Sequence, residues 1–177
     1  TEIEGDEADD EFAQFFVKGR APKIMLSTRP KCSRKLYPFI GDLMQMIPNA
    51  FYYPRGEHLV ADMIKFCNEK EFSHLMILSE KQKKCNGVLV CTLPAGPTAY
   101  FKLSNFESGA SIKGHGRPTS HFPEIILNNF KTVLGRRVGR FLGSMFPRVM
   151  PFLCLFFALL FLALPCFALP WLPFTSH

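Results

Sequence analysis

Four basic residues crowd the eight positions from Thr28 to Lys35: Arg29, Lys31, Arg34 and Lys35. A guanidinium forks across two phosphate oxygens and an ammonium acts on phosphate as a point charge, so a cluster of both types suits a phosphate polymer. A second group, Lys81, Lys83 and Lys84, precedes an Asn-Gly pair at 86–87, a common hairpin-turn signal. A third, Arg136, Arg137 and Arg140, shares one face of an amphipathic segment at helical spacing. One such cluster alone is usually a solvated surface. Three on one small domain read as patches converging on a polyanion, with RNA favoured over duplex DNA because no recognition-helix motif appears. The residues expected to contact phosphate are Arg29, Lys31, Arg34 and Lys35, with Arg136, Arg137 and Arg140 as a second group.

Catalytic chemistry finds little support in the same residues. The five histidines are scattered, and neither G-x-S-x-G nor H-E-x-x-H occurs. Gly109 to Gly116 is glycine-rich and contains Lys113, but it lacks the spacing of a phosphate-binding P-loop and reads as a flexible loop. Cys85, Cys91, His115 and His121 fail as a zinc set because their gaps match no common structural site. No catalytic residue, metal or cofactor is therefore expected. The six cysteines include no C-x-x-C pair and read as reduced intracellular thiols.

Charge is distributed very unevenly along the 177 residues. Residues 1–11 hold seven of the fifteen acids and no base, an acidic leader expected to be unfolded. Residues 149–177 contain no Asp, Glu, Lys or Arg, so all 21 bases and the other eight acids lie in 12–148, a net +13. A surplus of that size on one domain favours a polyanion, with an anionic membrane surface as the rival. The chain opens without a secretory pattern and without Met, so secretion is not expected and the first residue is read as lying inside a longer reading frame.

These clusters need elements to hold them. The short apolar run at 23–27 reads as a strand, followed by the first basic loop. Leu36, Phe39, Ile40, Leu43, Met44 and Ile47 repeat at helical intervals, with Pro38 tolerable in the first turn. A second strand is expected over 50–53, a second helix around Leu59 to Lys70, and further strands over 74–79, 88–92 and 98–103. The basic hairpin turn is placed at 80–87, and residues 105–123 read as a mobile basic loop. Glu124 to Phe130 is read as a strand, and Leu134, Val138, Phe141, Leu142 and Met145 define a last, cationic helix ending at Pro147. The order β-α-β-α-β implies a layered α/β domain.

Three strings carry a likeness to a known family: Leu-Pro-Ala-Gly-Pro-Thr-Ala-Tyr-Phe-Lys-Leu-Ser at 93–104, Pro-Glu-Ile-Ile-Leu-Asn-Asn-Phe at 123–130, and Leu-Gly-Arg-Arg-Val-Gly-Arg-Phe-Leu-Gly-Ser-Met-Phe-Pro at 134–147. With Pro22 to Arg29 and Ile47-Pro48-Asn49, they make residues 8–147 resemble the Brix-domain family. The resemblance implies two similar α/β halves related to the anticodon-binding domains of synthetases, of which this chain holds the N-terminal half. It also implies a non-enzymatic nucleolar factor that binds precursor rRNA in the pre-60S particle, serves large-subunit assembly and rRNA processing, and works beside a dedicated protein partner.

In that family Phe-Pro, here Phe146-Pro147, leads into a second half with a basic and aromatic segment. This chain continues instead with Arg148 and then 26 apolar positions, Val149 to Phe174. The domain reading is accordingly an acidic leader over 1–20, a partial Brix domain over 21–147 and an apolar tail foreign to the family over 148–177. The tail exceeds the ~18 apolar residues that flag a transmembrane helix. Yet Pro151, Pro165, Pro170 and Pro173 leave only 152–164 unbroken, short for a bilayer. The adopted reading is a tail from a retained intron or a faulty gene model; the alternative is a tail-anchored membrane protein with a basic cytosolic domain. A half-domain is also expected to expose surface that its other half would cover.

Overall fold

The computed structural model describes residues 11–17, 21–116, 119, 123 and 125–147. Strand β1 (Ile24–Thr28) is buried at all five positions, because it lies inside a sheet that is covered on both faces. Ile24 and Leu26 point to one side and Met25 to the other, the two-residue alternation of an extended chain. A 3-10 turn (Arg34–Leu36) leads into helix α2 (Tyr37–Met46), where Pro38 falls in the first turn and breaks no hydrogen bond. Strand β2 (Ala50–Tyr52), helix α3 (Val60–Glu69) and strand β3 (His74–Lys81) follow. Strands β4 (Lys84–Thr92) and β5 (Thr98–Lys102) complete a sheet of order β2-β1-β3-β4-β5.

The first three strands are parallel and the last two antiparallel. Passing from β1 to β2 moves outward across the sheet, and passing from β2 to β3 moves back over β1. Right-handed crossovers in opposite directions must place their helices on opposite faces. So it is: the 3-10 turn and α2 bury Leu36, Ile40 and Leu43 against Ile24, Leu26, Met76 and Leu78, while α3 buries Met63 and Cys67 against Met25, Leu75 and Ile77.

Helix α4 (Val133–Gly143) joins α2 on its face through Phe141 and Met145. Thr132 caps it, its Oγ1 accepting from the Gly135 N–H at 2.9 Å. Gly139 lies under the Phe130 ring, where a Cβ would stand 3.2 Å from the nearest ring carbon. The last turn is tied to the sheet by His74, which is fully buried: its Nε2 lies 3.0 Å from Ser144 Oγ and its Nδ1 3.0 Å from Ser73 Oγ. Both hydroxyls also reach the backbone, Ser144 Oγ donating to Phe141 O at 2.7 Å and Ser73 Oγ to Lys23 O at 3.0 Å. Burial lowers the His74 pKa to about 4.

Three expectations change. Residues 11–17, read as leader, are ordered: helix α1 (Ala13–Val17) follows Phe12, whose ring is 1% exposed and meets Phe141 edge-on at 5.6 Å. One aromatic with a core pocket outweighs the local acidity. Residues 125–130 form no strand; Ile126 is 87% exposed and the segment crosses the α2/α4 face instead of pairing. The hairpin turn sits at Gln82 and Lys83, both with positive φ, and Asn86-Gly87 lies within β4. Gly87 serves close packing there: a Cβ would fall 2.2 Å from the Tyr100 hydroxyl.

Residues 1–10, most of the basic part of the 105–123 loop beyond Gly116, and both readings of the apolar tail lie outside the described residues. Among the described residues no helix is long and apolar enough to cross a membrane.

Candidate nucleic-acid interface

The first basic loop begins where β1 leaves the sheet. The Arg29 N–H still donates to Leu78 O at 3.0 Å, extending the β1–β3 ladder, and Lys31 then turns the chain with a positive φ of 57°. The loop is next pinned to the far end of β3. Ser33 N–H donates to Glu80 Oε2 at 2.7 Å, and Ser33 Oγ donates to Glu80 Oε1. Leu36, 3% exposed, inserts into the core and fixes the other side of the loop, leaving Arg34 and Lys35 exposed on the 3-10 turn.

Glu80 belongs to the strand that continues into the basic hairpin, so the clamp sets two clusters side by side. Lys81 and Lys84 face each other across the ladder, with Lys83 at the turn between them. Like charges directly opposite in a ladder repel, a cost that an external anion removes. Arg29, Lys31, Arg34, Lys35, Lys81, Lys83 and Lys84 are all exposed, and among the described residues none of the seven has an ion-pair partner. Glu80, the acid near the end of β3, is occupied by Ser33.

The α4 arginines are placed differently. Arg137 binds Glu11, its Nη2 2.5 Å and its Nε 2.9 Å from Glu11 Oε1, and the Arg140 guanidinium stacks 4.7 Å over the Phe16 ring. The N-terminal segment thus engages two of the three. The last turn of α4 docks on His74 at the start of β3, about 20 Å along the strand from Glu80 at ~3.3 Å per residue. The structure therefore joins the first-loop cations to Lys81, Lys83 and Lys84, which the sequence shows as basic but does not place, and holds Arg137 and Arg140 of α4 against Glu11 and Phe16.

Two of the described thiols are shut away in the core. Burial raises the Cys67 thiol to about 11, and Cys67 lies 3.1 Å from the Met25 sulfur. Burial also raises the Cys85 thiol. The described cysteines are all free thiols. Among the described residues no group of three or more His, Cys, Asp or Glu converges as a metal site.

Comparison with known proteins adds a lineage to this geometry. The Brix domain model matches residues 29–158. A Brix domain-containing protein of Caenorhabditis elegans is 42% identical over 146 residues, covering 82% of this chain and 38% of that protein. Ribosome production factor 1 of Saccharomyces cerevisiae is 40% identical over 150 residues, covering 83% of this chain and 50% of its own length. The Xenopus laevis protein of the same name is 40% identical over 147 residues, covering 82% and 43%. The chain thus spans half or less of the length of these relatives. A crystal structure of a probable ribosomal biogenesis protein from Aeropyrum pernix K1 overlaps 46% of this chain and 44% of that one, at TM-score 0.39 and 20% identity, a likeness too partial to argue from.

Proposed function

The chain belongs to the Brix-domain family, and from that premise we propose that it is a ribosome biogenesis factor that binds precursor rRNA without catalysing a reaction. The observation that carries the proposal is the Ser33–Glu80 clamp, which gathers the loop and hairpin cations at one end of the sheet. Seven exposed positive groups, none of them ion-paired among the described residues, bind a phosphate backbone by releasing its counterions. Arg29 and Arg34 supply forked donors, and the lysines supply point charges that tolerate a backbone of irregular path. Arg136, Arg137 and Arg140 form the second contact group. Arg137 engages RNA only by giving up Glu11, so its contribution is smaller. The place of action proposed is the nucleolus, on the pre-60S particle and beside a protein partner, in large-subunit assembly and rRNA processing.

The test is neutralisation of Arg29, Lys31, Arg34, Lys35, Lys81, Lys83 and Lys84 to glutamine, with binding to single-stranded RNA followed across a salt series. Each lost phosphate contact lowers the slope of log K against log salt by about 0.7. A slope reduced by several units supports the assignment. An unchanged affinity and slope in a folded variant overturns it.

A further inference from the structure

The basic surface stands at the carboxyl ends of the parallel strands, and that end holds more than charge. After β1 the chain turns toward the α2 face, and after β2 it turns toward the α3 face, so the two loops part over neighbouring strands. Such a parting leaves a crevice, the usual place for a ligand in an open α/β sheet. On its α3 side lies a pocket of about 220 Å³. Met25 and Met63, both buried, form the floor, Tyr53 and Phe66 the walls, and Arg55 and Asp62 the polar rim. The volume falls below the ~300 Å³ at which pockets begin to enclose a whole drug-sized ligand, so it suits a single flat ring system.

The Tyr53 ring is held in place for such a group. It meets Phe66 at 5.7 Å and Phe72 at 6.0 Å, both edge contacts, yet the residue stays 38% exposed. Its backbone is fixed to β1: Tyr53 N–H donates to Leu26 O at 2.9 Å, and Ser27 Oγ donates to Tyr53 O at 2.9 Å. Arg55 follows in a tight turn at Gly56, whose φ is +57°. Its Nε donates to His58 O at 3.0 Å, and His58 N–H donates to Arg55 O at 3.2 Å. The Nη donors of Arg55 have no partner among the described residues. Arg29 and Arg55 each come two residues beyond the Ser27–Tyr53 bond, on chains leaving strands about 4.8 Å apart, so the pocket adjoins the first basic loop. The acid among the lining residues, Asp62, lies 3.9 Å from Lys65, which offsets its charge.

We propose that this pocket takes one unstacked base of a single-stranded RNA, whose neighbouring phosphates lie on Arg55 and the first-loop cations. The inference rests on the RNA-binding reading and adds a base contact to it. An aromatic wall stacks any base, and a floor of two methionines adapts to its outline. Charge selects the occupant. An apolar peptide side chain fills the same ring space, but a nucleotide brings a ring and a phosphate together, matching a pocket set beside two guanidinium groups.

The experiment uses the full chain and a fluorescein-labelled single-stranded RNA decamer, followed by anisotropy across a salt series. Tyr53→Leu keeps bulk and removes the ring. Its affinity should fall about tenfold at every salt concentration with an unchanged salt slope, because the lost contact is uncharged. Tyr53→Phe, which restores the ring, should recover the lost affinity. Arg55→Gln should lower the slope by about 0.7. Wild-type affinity in a Tyr53→Leu chain with a wild-type urea midpoint overturns the base pocket and leaves the phosphate surface, whose own readout is the slope lost on neutralising the seven cations. A second measurement does not depend on that variant folding: photocross-linking of the wild-type chain to a 4-thiouridine-substituted decamer, with peptide mapping. Cross-links to Tyr53, His58 or Phe66 are expected. Cross-links confined to other residues overturn the proposal and leave the pocket to a peptide side chain, and failure of the wild-type chain to bind the decamer overturns both readings.

Discussion

Replacing Glu80 by alanine separates two opposed expectations by sign. Removing an acid from a basic patch ought, on charge alone, to strengthen RNA binding. The gain is small: a carboxylate about 10 Å from a phosphate in water repels it by about 0.4 kcal/mol, before salt screens it further. The clamp points the other way. Glu80 accepts from both the N–H and the hydroxyl of Ser33, half-buried bonds to a charged acceptor worth about 1.5 kcal/mol each. Pinning the loop from Pro30 to Ser33 costs roughly 1 kcal/mol of backbone entropy per residue, most of which those bonds offset. Without them the loop is closed in a minority of molecules, and the apparent Kd rises as the closed fraction falls. The expected result for Glu80→Ala is about three- to tenfold weaker binding of a fluorescein-labelled single-stranded RNA by anisotropy, with a shallower salt slope. Ser33→Ala removes one of the two bonds and no charge, and should weaken binding about twofold. Equal or tighter binding by Glu80→Ala would refute the reasoning, because electrostatics would then outweigh the clamp.

Other perturbations address the scaffold. His74 takes up a proton near pH 6.5 when unfolded and only near about 4 when folded, so between those values the unfolded chain binds more protons and acid destabilises the fold. Urea titrations from pH 7 to pH 4 should show a loss of up to about 3 kcal/mol attributable to this residue, and His74→Asn should flatten that part of the profile. Thr132→Ala removes the cap of α4 and should lower stability by about 1 kcal/mol, read as a shifted urea midpoint with an unchanged m-value.

Periodicity revealed most of the architecture because it reports burial directly. The β1 run at 23–27 and the helical repeats from Leu36 to Ile47 and from Val138 to Met145 were legible as soon as their apolar faces were traced, although Met44 and Leu134, read onto those faces, are exposed. Residues 125–130 were misread because a short apolar run has no period of its own, and whether a sheet edge waits for it is a tertiary matter. The Asn-Gly pair misled in a similar way: Gly87 is needed under Tyr100, and the turn is made by Gln82 and Lys83, which carry little turn signal. At the interface the charges were visible and their grouping was not. Ser33 and Glu80 lie 47 residues apart, and Arg137 and Glu11 lie 126 apart. No local pattern encodes either pairing, yet the first assembles the seven-cation surface and the second draws an arginine away from it.

The position of β3 also dictates an order of events during synthesis. Its parallel pairing with β1 joins residues 50 apart, Ile24 with His74, while its antiparallel pairing with β4 closes across Lys81 and Lys84, three apart. By loop-closure entropy the first costs about 2.5 kcal/mol more than the second. A growing chain that has released β1 and β2 still lacks the strand between β1 and the rest of the sheet, so one edge of β1 is left unpaired. Once residues 74–92 emerge, the β3–β4 hairpin can form locally and offer a ready edge to the waiting β1. Until then the early segment is a hydrophobic nascent chain, so the interval over which residues 24–73 are out and β3 is not is the one in which chaperone protection matters most for this protein.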